Sequence, residues 1–187
     1  MSPVPDEEKR FNAVYKLVTL GEAAVGKTSL VNKYVTGKFE RDYHRTLGID
    51  ISTYDAKIDP HLFKLLIWDL AGQDIFRDLR TRYCQGASGG VLVFDLTRPQ
   101  TLETIPRWVE AFREAVGPKP LLILLGNKAD LDNERKITRA QAESISKELG
   151  LFQYHETSAK TGHHVSIAFN TLAKMIYESH TKKKDSP

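Results

Sequence analysis

The sequence predicts an α/β fold with a doubly wound, mostly parallel sheet of six strands, one antiparallel edge strand, and helices on both faces. Apolar runs of strand length recur along the chain and alternate with segments of helical periodicity. The runs at 91–94 and 121–125 consist of Val, Leu, Ile and Phe alone, which is typical of parallel strands buried on both faces. The segment IDISTYDAKI at 49–58 instead alternates apolar and polar residues and indicates a half-exposed edge strand.

The order of the elements follows from these patterns. Asp59-Pro60 turns the edge strand back into the next strand, so that 49–68 forms an antiparallel hairpin. Thr138 followed by Gln141 predicts a capping box at a helix start. The other predicted elements are strands at 14–20, 61–68, 89–96, 120–127 and 152–157, and helices at 27–36, 74–84, 101–116, 138–149 and 165–178.

The composition bounds the class of protein. At 187 residues, with 41% hydrophobic and 27% charged side chains, the chain suits one globular domain. The net charge of +3 requires no nucleic-acid partner, and the single cysteine excludes an internal disulfide, which fits a reducing compartment. No apolar run approaches the roughly 18 residues of a transmembrane helix. We therefore expect a monomeric, cytoplasmic protein that binds no nucleic acid and meets membranes only peripherally or through a partner.

Both ends of the sequence differ in composition from the middle. Residues 1–12 are polar, charged and carry prolines, so we expect a disordered leader rather than a signal peptide. Residues 180–187, HTKKKDSP, indicate a disordered basic tail. The predicted domain therefore covers residues 13–179.

The stretch GEAAVGKT at 21–28 fits the pattern G-x-x-x-x-G-K-[ST] and stands between a predicted strand and a predicted helix. The backbone N–H groups of such a loop point inward and the helix N-terminus adds partial positive charge, so the loop suits phosphate groups. We expect Lys27 to reach the β- and γ-phosphates and the Thr28 hydroxyl to ligate Mg²⁺. ATP and GTP both remain open at this point. The expected phosphate-binding residues are Gly21, Ala24, Val25, Gly26, Lys27, Thr28 and Ser29.

A second loop predicts which base is bound. Asn127-Lys-Ala-Asp130 follows a buried strand, and the single carboxylate of Asp130 can accept both adjacent donors of guanine, N1–H and the 2-amino group. Asn127 can hold the loop and contact the base, while the stem of Lys128 covers the ring. Past the next strand, the Ala159 N–H is placed to meet guanine O6. The expected base-binding residues are Phe39 against the guanine face, Asn127, Lys128, Asp130, Ser158, Ala159 and Lys160.

Two further segments carry residues for the γ-phosphate and the metal. Asp69 ends a core strand and suits a water-mediated contact to Mg²⁺, whereas Gly72 lets its N–H approach a γ-phosphate and Gln73 can orient an attacking water. Thr46 offers a hydroxyl and a carbonyl to Mg²⁺ and an amide to the γ-phosphate. We thus expect Mg²⁺ at Thr28, Thr46 and Asp69, catalysis at Gln73, and nucleotide contacts from Tyr43, Thr46 and Gly72.

From about residue 13 to residue 178 the chain resembles a small GTPase of the Ras superfamily, and it is most similar to the Rab family. Five motifs agree in order and spacing: GEAAVGKT, the threonine of DYHRTLGID, WDLAGQ, NKAD and TSAK. The resemblance implies a P-loop NTPase G domain that hydrolyses GTP to GDP and phosphate with Mg²⁺. It also implies an exchange factor, a GTPase-activating protein and effectors that act through Phe39–Gly48 and Gly72–Tyr83, two segments ordered by the γ-phosphate.

The chain also departs from the family pattern. Family members often carry glycine at one or both of the positions of Ala23 and Ala24, and Ile51 replaces the phenylalanine that Rabs pair with Trp68 and Tyr83. Rabs end in prenylatable cysteines, whereas this chain ends KKKDSP. Two alternatives stay open: a GTP-binding scaffold with little hydrolysis, which Ala23 favours, and a P-loop kinase, which NKAD disfavours.

Overall fold

The computed structural model describes residues 11–39, 46, 48–58, 60–71 and 82–184. The strands are β1 Ala13–Leu20, β2 Ile49–Ile58, β3 His61–Leu70, β4 Gly89–Asp95, β5 Leu122–Asn127 and β6 Gln153–Glu156. They form one sheet in the order β2-β3-β1-β4-β5-β6, in which β2 runs antiparallel to β3 and all other neighbours are parallel. The predicted fold class is therefore confirmed, including the antiparallel strand at the edge.

The helices in the described ranges are α1 Lys27–Thr36, α2 Pro99–Glu103, α3 Ile105–Val116, α4 Arg139–Glu148 and α5 Val165–Lys184. The prediction of one helix over 101–116 is wrong, because the chain forms two helices that separate at Thr104. Pro106 gives the physical reason, since it has no N–H to donate to the carbonyl of Leu102, four residues earlier. Of the helix predicted over 74–84, residues 82–84 are helical and the others lie outside the described residues.

Helices cover both faces of the sheet. Successive residues of a strand point to opposite faces, and in β1 Leu17 packs in a cluster with α1 and α5 while Val18 packs in a cluster with α3 and α4. Strand β4 lies between β1 and β5, and all seven of its residues are buried. The prediction that the run at 91–94 is a strand buried on both faces is confirmed.

The carboxyl ends of the parallel strands meet at one edge of the sheet, where ligand sites of such folds are built. Residues 21–28 follow β1, and Asp69 lies near the end of β3. Asp95 is the last residue of β4 and Asn127 the last residue of β5. The topology thus brings together polar residues that are far apart in the sequence.

The predicted hairpin is confirmed in the described residues of β2 and β3. The two strands pair along their whole length, from Ile49 opposite Leu70 to Ile58 opposite His61. At the open end of the hairpin the Ala71 N–H donates to the Gly48 carbonyl at 3.0 Å. The turn residue Asp59 lies outside the described residues.

Residues near both ends of the described chain contact the sheet. Directly before β1, the Asn12 N–H donates to the Leu62 carbonyl of β3 at 2.8 Å, and Asn12 Oδ1 accepts from the Leu62 N–H at 2.7 Å. Helix α5 continues to Lys184, beyond the predicted helix end at 178. The His180 ring stacks on Tyr15 with centroids 5.7 Å apart and fixes this end of the helix to β1.

The predicted capping box at the start of α4 is confirmed. The Thr138 N–H donates to Gln141 Oε1 at 2.8 Å, and the Gln141 N–H donates to Thr138 Oγ1 at 3.3 Å. None of the helices in the described ranges combines the length and the apolar composition needed to cross a membrane.

Candidate functional site

The two glycines of the loop after β1 are required by close backbone approaches. Gly21 has a φ of +142°, and a Cβ there would lie 2.1 Å from the Val93 carbonyl oxygen. Gly26 has a φ of +98°, and a Cβ there would lie 2.3 Å from Asn127 Nδ2. Both conformations and both contacts exclude a larger side chain. The glycine spacing seen in the sequence therefore has a direct structural cause.

Lys27 lies beneath this loop. Its side chain is buried at the first turn of α1, and Nζ donates to the carbonyls of Gly21 and Glu22, each at 2.9 Å. The positive end of the α1 dipole adds to the ammonium charge. Ala24 on the same loop has a φ of +60°, an uncommon conformation for a residue with a side chain. The loop thus concentrates positive charge at a bent backbone, which suits an anion.

An oxygen cluster stands beside the loop. The hydroxyls of Thr28 and Thr46 are 2.7 Å apart, Thr28 Oγ1 also donates to Asp69 Oδ2, and Thr19 Oγ1 donates to Asp69 Oδ1 at 2.6 Å. Because the one hydroxyl hydrogen of Thr28 is directed to Asp69, Thr46 is the donor to Thr28. Burial raises the pKa of Asp69, and hydrogen bonds from Thr19 and Thr28 oppose that rise. The three predicted metal ligands, Thr28, Thr46 and Asp69, are brought together.

This donor set fits Mg²⁺. Two hydroxyl oxygens and one carboxylate are hard oxygen ligands, which Mg²⁺ prefers, and it usually takes only one or two carboxylates from the protein. In the described part of the chain no cluster of three or more His, Cys, Asp or Glu side chains is arranged to hold a metal ion. The chemistry of the predicted site therefore agrees with a cation that is shared between protein and phosphate oxygens.

A cavity of about 350 Å³ joins the phosphate loop to the loop after β5. Its volume lies within the range of about 300–1,000 Å³ that is usual for small-molecule sites. The lining residue Leu131 was not predicted. Its signal in the sequence is its position directly after the motif Asn127–Asp130. The lining residues are Ala24, Gly26, Ser29, Phe39, Asn127, Lys128, Asp130, Leu131, Ala159 and Lys160.

Asn127 connects three loops and is almost fully buried. Its Nδ2 donates to the Val25 carbonyl at 2.9 Å, and its Oδ1 accepts from the Ala159 N–H at 3.3 Å and from Thr157 Oγ1 at 3.4 Å. The first bond is short and buried, and the other two are long. Asn127 therefore links the end of β5 to the phosphate loop and to the loop after β6.

The carboxylate of Asp130 is oriented by the loop after β6. Ser158 Oγ donates to Asp130 Oδ1 at 2.6 Å and accepts from the Thr161 N–H at 3.1 Å. Lys160 Nζ lies 3.8 Å from Asp130 Oδ2. Ser158 stays a predicted nucleotide contact, and in the structure its hydroxyl also holds the Asp130 carboxylate, which belongs to the cavity lining.

The sequence reasoning missed Asp95 and Arg98. The Asp95 side chain is fully buried, and its Oδ2 pairs with Lys128 Nζ at 2.7 Å and with Arg98 Nε at 2.9 Å. Burial by itself would raise the pKa of Asp95, but hydrogen bonds from Lys128 and Thr97 bring it below the usual value. The available signal was a carboxylate at the carboxyl end of a predicted core strand, the same signal that identified Asp69.

A partly exposed aromatic surface lies on β2 and β3 and includes Tyr83. Trp68 stands opposite Ile51 of β2, which is half exposed, and its ring centroid is 6.4 Å from that of Tyr83. Lys16 Nζ lies 3.9 Å from the Trp68 ring centroid, a cation–π contact. The residues named for this surface from the sequence therefore adjoin one another.

Three predicted site residues, Tyr43, Gly72 and Gln73, lie outside the described residues.

These features define a class of protein. A phosphate loop after the first strand, an oxygen cluster beside it, and a cavity walled by the loop after β5 are those of a P-loop nucleotide-binding domain. The Ras family model matches residues 16–178, and the chain belongs to the Ras family.

Its relatives carry Rab names. The chain is 38% identical over 174 residues to the Ras-related protein RABA4b of Arabidopsis thaliana, a match that covers 93% of this chain and 77% of the relative. It is 36% identical over 168 residues to the Ras-related protein Rab-13 of Mesocricetus auratus, covering 90% of this chain and 82% of the relative. It is also 36% identical over 178 residues to the Ras-related protein Rab11A of Lotus japonicus, covering 95% and 78%.

The chain is thus a Rab-like small GTPase, a guanine-nucleotide switch that hydrolyses GTP to GDP and phosphate. Among the alternatives left open by the sequence, the family match favours the GTPase over a P-loop kinase and over a GTP-binding scaffold with little hydrolysis.

Proposed function

We propose that the cavity holds the guanine of GTP and GDP, with Asp130 as the residue that selects the base. The observation that carries this proposal is the Ser158–Asp130 hydrogen bond of 2.6 Å, which aims a carboxylate into a cavity that the phosphate loop also lines. Guanine presents two adjacent donors to such a carboxylate, whereas adenine presents an acceptor. Phe39 and the stem of Lys128 offer apolar contacts to the ring, and Asn127, Ala159 and Lys160 complete the base site.

The phosphates belong on the loop at 21–29. Its backbone N–H groups and the Lys27 ammonium bind the β- and γ-phosphates, and the Gly21 and Gly26 conformations let the backbone approach them closely. Ala24, Val25 and Ser29 supply further contacts from the same loop. The helix N-terminus beneath the loop stabilises the negative charge.

Thr28, Thr46 and, through water, Asp69 are the residues that would hold Mg²⁺. When bound there, the ion neutralises charge on the β- and γ-phosphate oxygens. The Thr28–Thr46 separation of 2.7 Å supports a shared cation, because it brings two hydroxyl oxygens close enough together to ligate one ion. Gln73 orients the attacking water and the Gly72 amide meets the γ-phosphate, while Tyr43 adds a nucleotide contact.

Partners act on the segments Phe39–Gly48 and Gly72–Tyr83 and on the aromatic surface of Ile51, Trp68 and Tyr83. We expect an exchange factor, a GTPase-activating protein and effectors, in a trafficking role like that of the Rab family, with membranes reached peripherally or through a partner. The half-exposed Ile51 beside Trp68 supports this assignment, since an exposed apolar patch marks an interaction site.

The decisive test is the base preference of Asp130→Asn. An amide matches the altered hydrogen-bonding edge of xanthine, so the variant should prefer XTP to GTP in competition binding. Asp132→Asn is a matched control, because its side chain is 80% exposed and lies two residues away. If Asp130→Asn keeps the GTP preference of the unmodified chain, Asp130 does not read the base.

A further inference from the structure

Arg98 lies outside every nucleotide-binding motif of the sequence, yet its backbone is fixed at the edge of the site. It is the residue before α2, and its N–H donates to the Asp95 carbonyl at 3.0 Å. Its own carbonyl accepts from the Thr101 N–H at 3.0 Å and from Thr101 Oγ1 at 2.7 Å. Thr101 is buried, so the start of the Arg98 side chain has a defined position.

The guanidinium of Arg98 bridges two parts of the site. Its Nε pairs with Asp95 Oδ2 at 2.9 Å, and its Nη2 donates to the Ala23 carbonyl at 3.1 Å. The same carboxylate oxygen pairs with Lys128 Nζ at 2.7 Å. The planar guanidinium group of arginine holds its N–H donors in fixed directions and can bond two acceptors at once. The ammonium group of a lysine cannot bond the same two acceptors with the same geometry.

The contact with Ala23 fixes a peptide plane of the phosphate loop. In a trans peptide the C=O and the following N–H point in opposite directions. Because the Ala23 carbonyl points to Arg98, the Ala24 N–H is directed away from α2, while the Ala24 side of the loop lines the cavity. Ala24 also holds its uncommon φ of +60°, which something in the structure must stabilise.

We propose that Arg98 is a positioning residue for nucleotide binding: it pins the Ala23–Ala24 peptide so that the Ala24 amide faces the phosphate chain. This inference rests on the phosphate-loop assignment in the proposed function. Since Lys128 remains on Asp95 when Arg98 is removed, the base loop keeps its ion pair. Arg98 therefore acts on phosphate binding and leaves base selection unchanged.

The experiment compares the dissociation of a fluorescent GDP analogue from the unmodified chain, Arg98→Ala and Arg98→Lys. We expect release from Arg98→Ala to be about tenfold faster, the fold-change that corresponds to about 1.4 kcal/mol. Arg98→Lys should be intermediate. The affinity ratio of IDP to GDP, which reports on the base loop, should stay as in the unmodified chain. Arg139→Ala is the matched control, because Arg139 is exposed, pairs with Glu143 and does not line the cavity.

The possible results distinguish a failure of the proposed role of Arg98 from a failure of the proposed function. Release from Arg98→Ala within twofold of the unmodified chain, or a changed IDP to GDP ratio, overturns the role of Arg98 and leaves the proposed function standing. Failure of the unmodified chain to bind GDP removes both. If Arg98→Ala does not fold, the test uses Arg98→Lys. A GDP release rate of Arg98→Lys equal to that of the unmodified chain would contradict the bridging role of the guanidinium group.

Discussion

Replacing Asn127 by alanine removes the side chain that ties three loops together. The variant loses the 2.9 Å hydrogen bond to the Val25 carbonyl and the two longer contacts to Ala159 and Thr157. Asn127 is almost fully buried, so water does not easily replace the lost donor at the Val25 carbonyl. The substitution in the base loop therefore also removes a contact that holds the phosphate loop in place.

The magnitude follows from these contacts. A buried polar group left without its partner costs about 1–3 kcal/mol, and the two long contacts add less. We expect the free energy of unfolding to fall by about 3 kcal/mol without nucleotide. Binding must then assemble loops that Asn127 no longer holds, and a further loss of about 1.4 kcal/mol corresponds to a tenfold higher Kd for GDP.

Urea unfolding with and without GDP measures both effects. At a GDP concentration of 100 times the Kd of the unmodified chain, nucleotide adds about 2.7 kcal/mol to the free energy of unfolding. A tenfold higher Kd reduces that gain to about 1.4 kcal/mol. Asn170→Ala is the matched control, because Asn170 accepts a 2.6 Å hydrogen bond from Tyr34 and does not line the cavity. It should lower stability and keep the full gain from GDP.

Two results would refute this reasoning. One is a GDP affinity of Asn127→Ala within twofold of the unmodified chain, which would mean that the two loops hold their arrangement without the amide. The other is an equal loss of GDP affinity in Asn170→Ala, which would trace the effect to general destabilisation.

Two further predictions address the metal and the pH dependence of stability. Thr28→Asn should weaken the binding of GTP far more than the binding of GDP, because a hydroxyl ligand of Mg²⁺ is lost. Binding titrations in Mg²⁺ and in EDTA measure both affinities, and an unchanged GTP affinity in Mg²⁺ would contradict the prediction. Glu156→Gln should lower the free energy of unfolding by about 2 kcal/mol at pH 7, because hydrogen bonds from Arg135 at 2.8 and 3.0 Å are weakened. Those bonds hold the pKa of Glu156 below its usual value, so the stabilisation is present above about pH 4.3 and is lost as pH falls further. Urea unfolding of both proteins at pH 7 and pH 3.5 tests it, since the difference should shrink at the lower pH, and a constant difference would refute the assignment.

Local patterns predicted most of the fold. The strands of the core were visible because burial on both faces leaves almost no polar residue in a run such as 91–94. The start of α4 was visible because its cap is made by Thr138 and Gln141, which are neighbours in the sequence. The break at Thr104 carried a local signal as well, the missing N–H of Pro106.

Contacts between distant residues set the remaining features. Helix α5 extends past residue 178 partly because His180 stacks on Tyr15, a contact that no window of sequence contains. The nucleotide motifs were local strings, so the residues of the phosphate loop and of the base loop were predicted. The bond from Arg98 to Ala23 spans 75 positions and needed the order of β1 and β4 in the sheet.

The β2–β3 hairpin brings the adjoining ends of the two partner-facing segments close together. At its open end, where Gly48 and Ala71 are joined by a 3.0 Å hydrogen bond, the chain leads into both partner-facing segments. Neighbouring strands are about 4.8 Å apart, and a helix with its side chains is about 10 Å across. We therefore expect a partner helix laid across this end to reach both Gly48 and Ala71. We expect binding of such a helix to require both segments, so that a change in either one lowers the affinity of the partner.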